Sequence, residues 1–179
     1  MKLTIKVKKL ASEVQLPSVV KKGDWIDLRS TKDINILPPQ AQVLKKSTVK
    51  GITTSYRDVN FMYELVPLGI AMKLPKGFEA IVVPRSSTLN RFGVIQSNSI
   101  GIIDHTYCGN EDEWKMPILG IFKSEINIGD RVCQFRIQLS QKANIWHKIK
   151  WFFSSGIKIK EVENLEDSNR GGFGSTGIK

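Results

Sequence analysis

Short apolar runs, each bounded by turn residues, recur along most of this 179-residue chain. At the start, Leu3, Ile5 and Val7 alternate with polar residues, which is the period of a half-buried β-strand. Regularly spaced short strands separated by Pro, Gly, Asn and Asp predict an antiparallel all-β sandwich or barrel. The further strand-like runs are residues 33–37, 63–74, 78–83, 93–96, 118–123, 131–139 and 157–162.

Two stretches interrupt this strand pattern, and we interpret both as insertions. Residues 40–62 contain several basic and few strongly apolar residues, which predicts a long hairpin arm. Residues 143–155 predict a short basic amphipathic helix that covers the core, although such a helix also suits a membrane surface or a partner protein. The side chains on its apolar face are Ile145, Ile149, Phe152 and Phe153.

The chain is strongly basic, with 27 Lys and Arg against 17 Asp and Glu and a net charge of +10. Such a charge attracts polyanions but does not distinguish nucleic acid, anionic lipid and nucleotide. No apolar run approaches the roughly 20 residues that span a bilayer, and the first ten residues alternate instead of forming a signal peptide. We therefore expect a cytoplasmic protein that does not associate with a membrane.

The strand-like run that ends at Pro84 leads into a turn made of Arg85, Ser86, Ser87 and Thr88. An arginine supplies a bidentate charged fork, while hydroxyl and backbone N–H groups supply further hydrogen bonds, so the turn suits a polyphosphate. The alternative is that the same residues simply cap a helix.

A second candidate segment covers residues 98–109, where Asp104 and Tyr107 follow Gly101 and precede Gly109. Glycine lets a backbone approach a planar ligand closely, so backbone amides here could read the edge of a base while Asp104 and Tyr107 face its sugar. Asp104 is the only plausible general base nearby. The alternative is a turn aspartate that binds its own backbone, with Tyr107 in the core.

Three further segments carry charged or hydrogen-bonding groups. Residues 23–29 place Asp27 near an arginine, and residues 128–136 place Gln134 between two arginines. Either segment alone could form a structural ion pair. Residues 170–179 combine an arginine, an aromatic ring and two hydroxyls with many glycines. This tail either orders as a flap over an anionic ligand with a flat ring, or is a frayed terminus.

Taken in order, these five segments resemble the five motifs of the trimeric dUTPases, which are dUTP diphosphatases with an all-β subunit. The sequences Gly23-Asp-Trp-Ile-Asp-Leu-Arg29 and Val83-Pro-Arg-Ser-Ser-Thr88 are similar to the Gram-positive bacterial and phage branch of that family. The resemblance implies a jelly-roll-like dUTPase fold (β-clip) of antiparallel strands, assembled as a homotrimer. It also implies a β-domain over residues 1–165 and a flexible glycine-rich flap over residues 166–179.

The activity implied by the resemblance is hydrolysis of dUTP to dUMP and pyrophosphate, which limits uracil in DNA and supplies dUMP for dTTP synthesis. Asp104 would orient and deprotonate the water that attacks the α-phosphorus. Mg²⁺ would bridge the phosphates, with Asp27 reaching its water molecules. Tyr107 would pack under the deoxyribose and exclude UTP. The substrate would be a free nucleotide, and we expect no stable nucleic-acid binding.

The remaining motif positions are implied to bind the substrate. Uracil would be read by Asn98 and by the backbone near Gly101 and Ile103. Phe173 is our favoured lid over the uracil ring, but the spacing from Arg170 is shorter than usual in the family, so Trp114 is kept as the alternative lid. The residues implied for the phosphates and the closed tail are Arg85, Ser86, Ser87, Gln134, Arg170, Gly174, Ser175 and Thr176.

Two other functions are compatible with the same residues. A dCTP deaminase shares the fold and the Arg-Ser-Ser turn but needs a glutamate soon after the third motif. Trp114-Lys-Met-Pro117 does not match that pattern, although Glu111 and Glu113 lie nearby. Some phage dUTPases also bind repressor proteins, and the insertion at residues 143–155 could be such a surface, either beside catalysis or in a catalytically weak binding module.

Overall fold

The computed structural model describes residues 1–19 and 23–172. Strands are the main regular structure in this part of the chain, which also contains two short helices. In chain order the strands are β1 (Leu3–Lys9), β2 (Ser18–Val19), β3 (Ile26–Arg29), β4 (Ile34–Ile36), β5 (Gln40–Ala41), β6 (Lys45–Val49), β7 (Ile52–Tyr56), β8 (Val59–Asn60), β9 (Tyr63–Lys73), β10 (Phe78–Pro84), β11 (Val94–Gln96), β12 (Gly101–Asp104), β13 (Glu113–Gly120), β14 (Ser124–Ile126), β15 (Arg131–Leu139) and β16 (Ile157–Glu161). The helices are α1 (Thr88–Phe92) and α2 (Ile145–Phe152).

Two five-stranded sheets contribute to one hydrophobic core. Their strand orders are β11-β13-β9-β1-β16 and β12-β10-β15-β3-β2. Leu3, Ile5 and Val7 point into the core, as their alternation predicts, and Phe78 and Phe135 enter it from the second sheet. The predicted all-β fold with antiparallel pairing is confirmed. The exception is β16, which lies parallel to β1 because the chain returns to that sheet edge through α2.

The predicted hairpin arm is present. Strands β6 and β7 pair from Lys45 opposite Tyr56 to Val49 opposite Ile52. Lys50 and Gly51 close the turn with positive φ angles of 50° and 78°, which is the two-residue geometry that favours glycine. Most side chains of the arm are exposed, so it adds little to the core of this chain.

The predicted helix is also present as α2, but its predicted orientation is wrong. Ile145 and Phe152 are 61% and 82% exposed, so the apolar stripe does not cover the core. The inward contacts come instead from Trp151, whose ring centroid lies 5.5 Å from that of Phe78, and from His147, which lies against Gly77. A Cβ atom at Gly77 would lie 2.4 Å from the His147 ring, so only glycine leaves room for that contact.

Neither α1 nor α2 has the length and apolar composition that crossing a bilayer requires, and no other helix occurs in residues 1–19 and 23–172.

Candidate functional site

The turn after β10 is closed by one buried threonine. The backbone N–H of Arg85 donates to Thr88 Oγ1 at 2.9 Å, and the Thr88 hydroxyl donates to the Val132 carbonyl at 2.9 Å. Ser87 precedes α1 but makes no side-chain capping bond, and Ser86 and Ser87 are both exposed. Helix capping therefore does not account for the two serine hydroxyls, which are accessible to an anion.

Asp27 holds the arginine of this turn in place. Its Oδ1 lies 2.9 Å from Arg85 Nε, and its Oδ2 lies 2.9 Å from an Arg131 nitrogen. Strand pairing sets Asp27 opposite Gln134, and Gln134 opposite Val83, so the three neighbouring strands β3, β15 and β10 bring these groups together. Arg85, Arg131 and the exposed serines form what we call the anion cluster, with Gln134 at its edge.

The predicted contact between Asp27 and metal-bound water finds no support in this geometry. Both carboxylate oxygens of Asp27 already accept from guanidinium groups, and the side chain is 8% exposed. Within the described ranges, no group of three or more His, Cys, Asp or Glu residues is placed to hold a metal ion.

A cavity of about 240 Å³ lies beside strand β12 and the start of the tail. An apolar cavity of about 150 Å³ holds a benzene molecule, so this one has room for a heteroaromatic ring and part of a sugar. Its lining residues are Ile102, Ile103, Asp104, Tyr107, Trp114, Lys115, Arg170, Gly171 and Gly172.

Asp104 lies at this cavity and is fixed by three donors. Its Oδ1 accepts from the backbone N–H of Thr106 at 2.8 Å and from the Thr106 hydroxyl at 2.5 Å, while Oδ2 accepts from Arg170 at 2.5 Å. Partial burial acts to raise the pKa of Asp104, but these hydrogen bonds and the Arg170 charge outweigh it, so the pKa lies below its usual value of 3.8. Asp104 is therefore ionised at neutral pH.

Tyr107 forms a fixed, neutral wall of the same cavity. Its hydroxyl donates to the Glu113 carbonyl at 2.9 Å. Burial, followed by the charges of Asp112 and Glu113, raises its pKa. The tail backbone passes beside the ring, since a Cβ atom at Gly172 would lie 3.1 Å from Tyr107 Cε2. Tyr107 is thus held partly in the core and partly at the cavity, which combines the two alternatives for this residue.

The other candidate residues of segment 98–109 lie along strand β12 and just before it. Ile103 lines the cavity. Gly101 pairs with Val82, and a Cβ atom there would lie 3.2 Å from Val82 Cβ, so glycine allows the close approach of β12 to β10. Asn98 accepts a hydrogen bond from Gln96 Nε2 at 2.8 Å, and it precedes β12 at the end far from Asp104.

Trp114 does not fit the role of alternative lid over the uracil ring. Its side chain is fully buried and packs edge-on against Phe135, with 5.3 Å between ring centroids. A lid must move over the ligand from solvent, whereas this ring forms the floor of the cavity. The favoured lid, Phe173, lies outside the described residues, as do Gly174, Ser175 and Thr176.

Sequence reasoning missed two residues that organise this cavity. Thr106 supplies two of the three hydrogen bonds to Asp104, and an Asp-x-Thr turn pattern could have indicated it. Asp112 is buried and accepts backbone hydrogen bonds from Gly109, Arg170 and Gly171. Nothing in the local sequence indicates that role, because two of these donors lie more than fifty residues away.

The anion cluster and the cavity lie at opposite ends of strand β10. Arg85 follows Pro84, the last residue of β10, whereas Asp104 pairs with Glu79 near its start. The five residue steps between Glu79 and Pro84 cover roughly 17 Å of strand. One chain therefore presents the anion cluster and a carboxylate-bearing cavity that are separate from each other.

A turn with an arginine and free hydroxyls and an aromatic-walled cavity with an ionised carboxylate, both on one β-sheet, are the groups that a nucleotide site in a β-protein needs. Comparison with known proteins makes the class specific. A family model described as dUTPase matches residues 55–177, which is more than half of the chain. The chain is also 40% identical over 177 residues to an SPbeta prophage-derived deoxyuridine 5′-triphosphate nucleotidohydrolase, YosS, from Bacillus subtilis strain 168, covering 99% of this chain and 100% of the relative. The chain belongs to the dUTPase family.

Solved structures agree with this assignment at the level of the fold. A dUTPase from Streptococcus mutans superposes with a TM-score of 0.56 at 19% identity, over 75% of this chain and 92% of that one. A mutant dUTPase from phage phi11 of S. aureus, solved with a structural Mg(II) ion, superposes with a TM-score of 0.56 at 15% identity, over 79% and 94%. The predicted similarity to the Gram-positive and phage branch is confirmed.

Proposed function

We propose that this chain hydrolyses dUTP to dUMP and pyrophosphate, with Asp104 activating the water that attacks the α-phosphorus. The observation that carries the proposal is the ionised Asp104 carboxylate at a cavity with room for a heteroaromatic ring and part of a sugar, beside the fixed ring of Tyr107. Membership of the dUTPase family indicates that the substrate is dUTP. The reaction would take place in the cytoplasm, where it would limit uracil in DNA and supply dUMP for dTTP synthesis.

Asp104 acts as the general base. Without substrate, its Oδ2 accepts from Arg170. When a triphosphate enters, its oxygens compete for the Arg170 guanidinium, and Oδ2 becomes available to a water proton while Thr106 still orients the carboxylate. General-base assistance of this kind contributes roughly 10²- to 10⁴-fold to the rate. Asp104→Asn should therefore lower turnover by at least about a hundredfold and change dUTP affinity little. Equal losses in both would make Asp104 a structural residue.

The nucleoside is held by β12 and Tyr107. The backbone around Gly101 and Ile103, with Asn98, reads the uracil edge, and a tight hairpin at β12 would exclude the methyl group of thymine. Tyr107 packs under the deoxyribose, where a 2′-hydroxyl would collide with a ring that its hydrogen bond to Glu113 keeps in place.

The triphosphate is held by the anion cluster and the tail. Arg85, Ser86, Ser87 and Gln134 donate to phosphate oxygens from one side. Mg²⁺, when bound to the phosphates, neutralises their charge and the charge that develops on them. The tail residues that close the site are Arg170, Phe173, Gly174, Ser175 and Thr176.

The site is built between copies of the chain. Arg85 and Asp104 lie roughly 17 Å of strand apart, and a run of three phosphates is too short to cover that distance. A neighbouring copy in a homotrimer supplies the missing half. Mixed trimers of R85A and D104N chains should therefore regain dUTP hydrolysis that neither variant has alone, because some sites then contain both intact residues. Mixtures as inactive as their parents would contradict a shared site.

The experiment that tests the activity is a substrate panel of dUTP, UTP and dCTP with Mg²⁺, scored for pyrophosphate and for ammonia. We expect pyrophosphate from dUTP only. Ammonia from dCTP would favour the deaminase alternative, which this geometry does not support. Glu113 accepts from the Gly69 N–H at 3.0 Å, and Glu111 bonds Asn169, so neither glutamate lines the described cavity.

A second function, as a regulator that binds a repressor-type protein, rests on helix α2. Trp146, Phe152 and Phe153 are 72%, 82% and 67% exposed, and Lys148 and Lys150 lie among them. Apolar rings surrounded by lysines fit an apolar groove with an acidic rim. Replacing the exposed Trp146 and Phe152 with Ala should abolish capture of the repressor partner and preserve dUTP turnover. Loss of the trimer instead would show that a second copy of the chain covers this face.

A further inference from the structure

We propose that Gln96 is a positioning residue that sets the direction of the Asn98 amide, so that the site accepts uracil and rejects cytosine. Asn98 reads the base under the proposed function, so this role of Gln96 rests on that proposal. Asn98 would contact the nucleotide itself, whereas Gln96 lies behind it. Uracil carries a carbonyl oxygen, O4, at the position where cytosine carries an amino group, so the direction of one amide distinguishes the two bases.

Gln96 is a buried side chain whose amide can point in only one direction. It is 7% exposed, and its Nε2 donates to the Val82 carbonyl at 3.2 Å. A backbone carbonyl only accepts, so the nitrogen of the Gln96 amide, and not its oxygen, must face Val82. Gln96 Oε1 is consequently buried and has no hydrogen-bond partner among the described residues. An apolar side chain would avoid this unfavourable burial, so the contacts of Nε2 explain why an amide stands here.

The second proton of Nε2 passes this orientation on to Asn98. Gln96 Nε2 donates to Asn98 Oδ1 at 2.8 Å. Because Nε2 can only donate, the Asn98 amide must turn its oxygen towards Gln96. Asn98 is exposed, and its amide nitrogen is the atom left for a ligand. That nitrogen can donate to O4 of uracil, but it faces the amino group of cytosine as one donor against another.

The turn that joins the two amides is held at both ends. Gln96 is the last residue of β11 and pairs with Ile118 in the first sheet, while Gly101 begins β12 in the second. The Ser99 N–H donates to the Gln96 carbonyl at 3.2 Å, and Ser99 has a φ angle of 59°, which is uncommon for a residue with a Cβ atom. A Cβ atom at Gly101 would lie 3.6 Å from Gln96 Nε2, so the amide lies directly against the start of β12. The backbone of Asn98 is thus held, and Gln96 decides the direction of its amide.

The positioning role is tested with Gln96→Leu, which fills a similar volume and removes both donors. The Asn98 amide can then turn its oxygen to the base and accept from cytosine. We expect the preference for dUTP over dCTP to fall at least about tenfold, measured by calorimetry as the ratio of the dissociation constants of their non-hydrolysable α,β-imido analogues with Mg²⁺. Gln138→Leu is the matched control, because the Gln138 amide bonds Glu79 and should leave the ratio unchanged. Gln96→Met, a flexible apolar side chain of similar length, gives the same test if Gln96→Leu does not fold.

A double variant separates positioning from a structural role. Because Gln96 acts through Asn98, adding Gln96→Leu to Asn98→Ala should not change the ratio further. A further fall in the ratio, or equal weakening of both analogues by Gln96→Leu alone, would make Gln96 a structural residue and overturn the inference. A wild-type protein without preference between the analogues would overturn it as well.

The binding measurement does not depend on turnover, so the two proposals can fail separately. A wild-type protein that prefers the dUTP analogue but leaves dUTP intact would overturn the proposed hydrolysis. The Gln96 variants would still decide the inference in that case, because their readout is the ratio of two dissociation constants.

Discussion

At the residue scale, the side chains that would do the chemistry are each held by a partner that sequence alone identifies poorly. Asp104 and Arg85 are predictable because their neighbours in the sequence form recognisable motifs. Thr88, Thr106 and Asp112 hold the turn, the base and the tail, and they were not predicted in these roles because the contacts depend on tertiary structure. Asp112 is the extreme case, since two of its three backbone donors are residues 58 and 59 positions away.

Thr88→Val should destabilise the protein by about 1–3 kcal/mol, because the isosteric change removes two hydrogen bonds at a buried position. Ser87→Ala is the matched control, since the Ser87 side chain makes no capping bond. It should leave the unfolding free energy within about 0.5 kcal/mol and weaken dUTP binding. Chemical denaturation and dUTP titration measure the two effects. The opposite ranking in stability would mean that Ser87 closes the turn.

Acid should weaken the hydrogen bonds by which the Asp112 carboxylate holds the backbone of Arg170 and Gly171. The pKa of Asp112 is lowered in the folded state, so its contribution to stability is present above the ordinary value of 3.8 and is lost as pH falls through the lower folded value. Thermal unfolding of the wild type should therefore be insensitive to this group near neutral pH and fall below about pH 4. D112N should show a shallower acid decline. Identical acid profiles for the two proteins would contradict the stabilising role of this carboxylate.

At the element scale, the strands and both insertions were predictable from the sequence. The packing partners of α2 and of β16 were not. Alternation and turn residues identify most of the strands, because a strand with one buried face repeats every two residues. The prediction that the apolar face of α2 covers the core was wrong. Gly77 and the ring of Phe78 create a contact surface for His147 and Trp151, and helical periodicity does not encode that surface. The parallel pairing of β16 with β1 was missed for a related reason, since it depends on where α2 returns the chain.

Trp151→Ala should cost about 1–3 kcal/mol, because the ring packs on Phe78 although it is 39% exposed. Trp146→Ala removes the same side chain from a position that is 72% exposed and should cost under about 0.5 kcal/mol. Differential scanning calorimetry of the pair measures the difference. A larger loss at Trp146 would show that the outward face of α2 is covered in solution.

At the scale of the whole molecule, one sheet carries the motifs but separates them. Strand β10 ends at the anion cluster and begins beside Asp104, so a single chain keeps these two groups of candidate residues apart. The motifs identify the candidate nucleotide-binding residues. They could not predict the separation, because it follows from the register of β12 on β10, which places Asp104 opposite Glu79. Under the proposed function, that register is why catalysis would require neighbouring copies.

The most direct test of the account is turnover of dUTP by the purified protein in ¹⁸O-labelled water, with the label followed into both products. Attack of an Asp104-activated water on the α-phosphorus predicts that the label enters dUMP and that pyrophosphate stays unlabelled. The D104N protein should show the same distribution at a rate lower by at least about a hundredfold. Label in pyrophosphate, or dUTP left intact by the trimer, would contradict the account.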